Sequence, residues 1–199
     1  GVRVVPLLCL IAASWAVWRG GALLLESEYR GAVAALLFNL TLMGGVEGLV
    51  ATPDAPAMAA SAFFVFFLAK LRQTGEGRWW LAAGAAAGVA FLAKYTAPFL
   101  GAGALFWLIV ARKQRHWLAS PWPYLGAGLA LLIFAPVVLW NAQHGWISFA
   151  RQFGRVGEGG FTLRYLGDFL AGQLALATPF ILVLGIAGMP RGRSIEVLL

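Results

Sequence analysis

The chain has 199 residues, 61% of them hydrophobic and only 12% charged, with a formal net charge of +7. That composition excludes an ordinary water-soluble domain, whose surface needs more polar residues than are present here. The sequence holds no Gly-rich phosphate loop, zinc-ligand spacing or aromatic–basic module, so the basic excess points to lipid headgroups rather than to nucleic acid.

Apolar runs fall at residues 4–18, 31–51, 55–69, 79–93, 97–111, 123–140 and 165–189. Each is expected to be a helix, because a backbone in hydrocarbon must satisfy its own hydrogen bonds. A span of about 20 residues crosses the core, and shorter ones cross where the bilayer thins. The expected fold class is an all-α, polytopic membrane helix bundle of about seven transmembrane helices. The first run starts almost at Gly1, without an initiator Met, and leads into more membrane rather than into a soluble domain. Both ends therefore read as cut points, and residues 1–199 as a fragment of a single transmembrane domain. Cys9, the only cysteine, excludes a disulfide within the chain and suits a packing role.

Runs 79–93 and 97–111 can also be drawn as one helix broken at residues 94–98, and charge decides between the two. With seven crossings, Arg19, Arg30, Lys70, Arg72, Arg78, Arg112, Lys113, Arg115, Arg191 and Arg193 share one side. Arg3, Lys94, Arg151, Arg155 and Arg164 occupy the other. Ten against five is the asymmetry of a cytoplasmic and an outer face, and merging the two helices breaks it. The outer face then receives residues 51–56, 94–96 and 141–164, where the notable polar side chains gather. The cytoplasmic connections, 19–30, 70–78 and 112–122, are short and basic.

Asp54, between Pro53 and Pro56, reads as a helix-start residue and also as a surface carboxylate for a substrate hydroxyl or a metal. Glu47 is an acid inside a span, which is costly unless it faces a cavity, a partner or the interface. Lys94 interrupts an apolar stretch on the less basic side, before Tyr95 and Thr96, and suits a phosphate or a lipid headgroup. Asn141, Gln143 and His144 offer donors and acceptors for sugar hydroxyls, and His144 is also a candidate metal ligand or base. Trp140 and Trp146 suit an interfacial belt. Residues 149–153 read as an amphipathic stretch in the interface, where Arg151 and Arg155, about one helical turn apart, form a candidate phosphate clamp. Gly84/Gly88, Gly101/Gly103 and Gly126/Gly128 suit close helix packing. The basic stretch 112–116 reads first as a topology determinant and second as an anionic-lipid contact.

Thr52-Pro53-Asp54-Ala55-Pro56, Phe91-Leu92-Ala93-Lys94-Tyr95-Thr96-Ala97, Pro121-Trp122-Pro123-Tyr124 and Trp140-Asn141-Ala142-Gln143-His144-Gly145-Trp146 occur in that order. The series resembles bacterial family-39 glycosyltransferases, the group similar to protein mannosyltransferases and lipid A aminoarabinose transferases, over about residues 2–155. The resemblance implies a GT-C fold in the bacterial inner membrane. It also implies an inverting transfer, on the periplasmic face, of a sugar from a polyprenyl-phosphate donor to a lipid, glycan or protein acceptor. It further implies that Asp54 matches the family's second outer-loop acid, Lys94 a donor-phosphate position and His144 a loop that can hold a divalent metal or the donor. The family's main catalytic acid, typically in an Asp-Glu pair, belongs to a first outer loop expected upstream of Gly1. The stretch as it stands is accordingly expected to be inactive alone. The competing readings are a membrane transporter or lipid flippase, for which charges near the midplane and internal repeats are expected, and a non-catalytic scaffold.

Overall fold

A computed structural model describes residues 3–47, 50–157, 165–176 and 183, and among them there is helix but no strand. Helices α1 (Val4–Leu25), α2 (Glu28–Leu40), α3 (Leu42–Glu47), α4 (Asp54–Thr74), α5 (Trp79–Ala93) and α6 (Pro98–Val110) come first. A 3-10 helix (Arg112–Ala119), α7 (Trp122–Gln143), α8 (Ile147–Gly157) and α9 (Leu166–Leu176) follow. The chain is thus an all-α membrane bundle, as its composition demands. Helices α1, α4 and α7 have 22, 21 and 22 residues and are long and apolar enough to cross a bilayer, while α5 and α6 are shorter apolar helices. Most of the surface of the long helices faces outward with large side chains exposed, Leu131, Leu132 and Leu139 on α7 among them. Helices apolar on all sides in this way belong in lipid.

Two expected boundaries are corrected. The first helix does not stop at residue 18 but continues to Leu25, so the connection to α2 shrinks to Glu26 and Ser27. Arg19 can lie inside the helix because its Nη1 donates to Glu28 Oε1 across the turn at 2.7 Å. The turn is closed by Glu26 in the left-handed conformation (φ 51°) and by Ser27 Oγ, which accepts from the Arg30 N–H. The second expected span is split at Thr41. There the backbone becomes extended, and the hydroxyl both donates to the Phe38 carbonyl (2.7 Å) and accepts from the Gly44 N–H (3.0 Å). A local side-chain bond of this kind competes with continued helix. The seventh expected span is represented by α9; residues 177–182 and 184–189 lie outside the described part, as do Arg164, Arg191 and Arg193.

The helices form a row in the order α2, α1, α4, α5, α7. Small residues set the spacing. A Cβ on Gly84 would overlap the Gly126 carbonyl, and one on Gly126 would overlap the Trp80 carbonyl, so α5 and α7 meet backbone to backbone. Such approach is the main way helices gain packing in lipid. The ring pair Phe91–Phe134 continues the seam, with centroids 3.6 Å apart. Because 84 faces 126 and 91 faces 134, α5 and α7 run parallel. Of the expected glycine contacts, Gly101, Gly103 and Gly128 meet nothing within 4 Å of an added Cβ. Phe64, Leu71, Trp80, Leu108 and Trp117 form the buried core, toward the end of the bundle where α4 stops and α5 starts. Helix α6 hangs from the end of α5 and rests on the 3-10 helix.

Candidate functional site

The break between α5 and α6 places a charge at the end of the bundle. Lys94 is the first residue past α5. Its N–H still bonds to the Ala90 carbonyl at 2.8 Å, but its backbone is extended (φ −151°, ψ 131°), and Pro98 then opens α6. Pro98 suits a first turn, where no backbone donor is needed. The neighbouring helix α4 begins at Asp54 after Pro53. An acid there sits at the positive end of the helix dipole. Since α4 and α5 are antiparallel neighbours, the start of one meets the end of the other, and Lys94 Nζ donates to Asp54 Oδ1. The start of α4 has no side-chain cap hydrogen bond. The carboxylate read from sequence as a helix-start group is therefore directed to the lysine.

A cavity of about 320 Å³ adjoins this pair, lined by Ala57, Ser61, Ala90, Lys94, Thr96, Ala97, Phe99 and Leu100. Its polar groups are one ammonium and two hydroxyls on apolar walls. Ser61 lies seven residues after Asp54, on the same helical face as Ala57, and its hydroxyl donates to the Ala57 carbonyl at 2.7 Å. Sequence reasoning passed over Ser61 and gave Thr96 no role; the spacing 54, 57, 61 was the available signal for Ser61.

Tyr95 turns to the other side of the break. Its ring lies 6.2 Å from Phe134 of α7 and 5.5 Å from Phe149 of α8, and Trp146 lies 5.7 Å from Phe149. The turn between α7 and α8 is thereby held at the same end of the bundle as Lys94. Asn141, expected to bind substrate, is fully buried and builds that turn. Its Oδ1 accepts from the Ser148 N–H (3.1 Å), its Nδ2 donates to the Val137 carbonyl (2.9 Å), and its own carbonyl accepts from the Trp146 N–H (2.8 Å). Gly145 and Trp146 follow in the left-handed conformation, at φ 64° and 58°. Both ends of the Asn141 amide are engaged with backbone of the turn. His144 stacks on Trp140 (centroids 4.1 Å apart), with Nδ1 2.7 Å from the Trp140 carbonyl. Gln143 and Arg151 are exposed at the same turn and on α8.

The structure thus brings Asp54, Lys94 and Tyr95 into one corner and sets Gln143, His144 and Arg151 on the adjoining turn and helix. Glu47 ends α3 and Arg155 lies within α8; their side chains lie outside the described part. Among the described residues no three side chains of His, Cys, Asp or Glu gather as a metal cluster, and Asp54 is the one carboxylate seen in this corner.

The family model described as dolichyl-phosphate-mannose-protein mannosyltransferase matches residues 1–140. No curated protein and no solved structure matches the chain. The matched stretch covers most of the chain and includes both members of the Asp54–Lys94 pair. The chain belongs to this family of membrane glycosyltransferases.

Proposed function

We propose, from that membership, that the chain takes part in transferring a sugar from a polyprenyl-phosphate donor to an acceptor hydroxyl. On this reading the Asp54–Lys94 end of the bundle is the periplasmic, reacting face. The observation that carries it is the pairing of a lysine and a carboxylate beside a cavity at the interrupted end of α5. Lys94 supplies the compact positive charge that suits a phosphate. In inverting transfer the acceptor hydroxyl gives up its proton and its oxygen attacks the anomeric carbon. The bond from that carbon to the lipid phosphate breaks, and the electron pair leaves with the phosphate. A fixed cation at the leaving oxygen lowers the barrier because its charge is in place before the bond breaks.

The ion pair adds a step. While Lys94 is bound to Asp54 its ammonium is already neutralised, so an arriving phosphate displaces the carboxylate. Asp54 is then released to accept a hydrogen bond from a sugar hydroxyl, so one exchange loads donor charge and donor sugar together. Asp54 serves here as a binding group, and deprotonation of the acceptor falls to another carboxylate. Arg151 and Arg155 of α8, with Gln143 and His144, are assigned to the rest of the donor or the acceptor.

The test is sugar transfer from a polyprenyl-phosphate donor by the full-length protein carrying Lys94→Ala or Asp54→Asn. Loss of transfer with normal membrane insertion supports the reading. Near-normal turnover in either variant overturns the role given to that residue.

A further inference from the structure

An apolar groove of about 390 Å³ lies between α6 and α7, floored by α5. Gly84, Gly101, Ala104 and Gly126 make its walls shallow and smooth, and Leu118 of the 3-10 helix with Tyr124 closes one end. Tyr124 Oη donates to the Leu118 carbonyl at 2.7 Å and fixes that end.

The 3-10 helix determines what stands at the mouth. In this geometry residues three apart eclipse one another, so the helix has three faces. Gln114 and Trp117 form the inner one, with Trp117 buried against Trp80. Arg112, Arg115 and Leu118 share the next, and Leu118 is the member that lines the groove. Lys113 and His116 form the outer one. Two arginines are therefore stacked in line with the residue that closes the groove. Arg115 is held there by its Nε, which donates to the Ile109 carbonyl of α6 at 2.8 Å. Among the described residues neither arginine has a carboxylate partner.

We propose that this groove is a binding site for one anionic membrane phospholipid, with an acyl chain lying between α6 and α7 and the phosphate on Arg112 and Arg115. Charge complementarity selects this occupant. A groove meant for a further apolar helix has no use for two guanidinium groups without carboxylate partners on the same 3-10 face as its closing residue Leu118. A neutral lipid leaves them equally unmatched, whereas a phosphate is bound by guanidinium in paired hydrogen bonds. The arginine end lies at the opposite end of α5 from Lys94, while the groove itself extends to Phe91, Ala97 and Pro98; the proposal does not depend on the reaction proposed above.

The experiment titrates the purified full chain with dioleoylphosphatidylglycerol or dioleoylphosphatidylcholine and counts bound lipid by native mass spectrometry. One phosphatidylglycerol per chain is expected, with phosphatidylcholine at least several-fold weaker. The pair Arg112→Gln/Arg115→Gln should weaken phosphatidylglycerol roughly thirtyfold, from about tenfold per 1.4 kcal/mol and about 1 kcal/mol per basic residue, and leave phosphatidylcholine unchanged. At Gly101, which lines the groove, and at Gly103 of α6, which does not, an added Cβ meets nothing within 4 Å, so Gly101→Leu fills the groove and Gly103→Leu is its control. The first should remove the bound lipid and the second should not. Equal affinity for both lipids, equal behaviour of the two leucine variants, or no effect of Gly101→Leu overturns the proposal. Displacement of phosphatidylglycerol, one for one, by polyprenyl phosphate also overturns it and assigns the groove to the donor.

Discussion

Asp54 and Lys94 are separated by 40 residues, and each was visible in the sequence as an odd charge beside an apolar run. Their pairing was not, because it depends on α4 and α5 being antiparallel neighbours, so that the start of one meets the end of the other. Asn141 was legible as a polar residue at a helix end, whereas its burial and its bonds to the turn were not. The two cases separate experimentally. Both members of the ion pair retain solvent access, with side chains 45% and 28% exposed, so breaking it should cost about 1 kcal/mol or less of stability. If Lys94 carries the leaving phosphate, Lys94→Ala should cost on the order of a hundred- to a thousandfold in kcat/KM. Thermal unfolding and transfer assays on the same preparation check this; a large loss of stability with proportionate loss of transfer makes the lysine a fold residue. For Asn141→Leu the order reverses. The Ser148 N–H loses its acceptor inside the turn, at about 1–3 kcal/mol. A lowered Tm and faster protease cleavage within α8 are the expected readings, and an unchanged Tm contradicts the role given to the amide.

At the scale of elements, run lengths and breakers were legible: Lys94 and Pro98 mark the break at residues 94–98 and the end of α5, and charge counting separated the two helices. What misled was charge used as a stop signal. Arg19 on α1 and Lys70 and Arg72 on α4 lie inside helices, because long side chains at a helix end reach water or a partner without unwinding the backbone. Glycine pairs were half legible, since spacing marks a small-residue stripe but not whether a neighbour lies against it. Gly126 and Gly128 make that distinction measurable. A leucine at 126 meets the backbone of α5 and should cost at least about 1–3 kcal/mol as overpacking. At 128 an added Cβ meets nothing within 4 Å, and the leucine should be neutral or slightly stabilising through helix propensity. Melting of the two variants in the same detergent decides; equal effects would mean that α5 and α7 do not meet at this seam.

At the scale of the whole molecule, helix lengths explain why a polar corner exists in so apolar a chain. At 1.5 Å per residue, α4 and α7 run about 32 Å, close to the hydrocarbon thickness, whereas α5 and α6 run only about 20–22 Å. Past the Phe91–Phe134 contact α5 ends at Ala93 while α7 continues to Gln143, so α7 overhangs the end of the bundle where Lys94 sits. Positive-inside counting leads us to propose that this end lies outside the cytoplasm, and the order of packing makes the proposal testable with one label. Cys9 is the only cysteine, so a Cys9→Ser background is blank to thiol reagents. In it, Gln143→Cys marks the end of α7 on the Lys94 side, and Gln73→Cys marks the end of α4 on the opposite side; both positions are exposed. In intact spheroplasts a membrane-impermeant maleimide should label position 143 at once and position 73 only after permeabilisation. The reverse pattern would keep the fold but place Asp54 and Lys94 in the cytoplasm, removing the periplasmic reading. Labelling of both before permeabilisation would mean that α4 and α7 do not end on opposite faces of the membrane, and the spanning row of helices itself would fail.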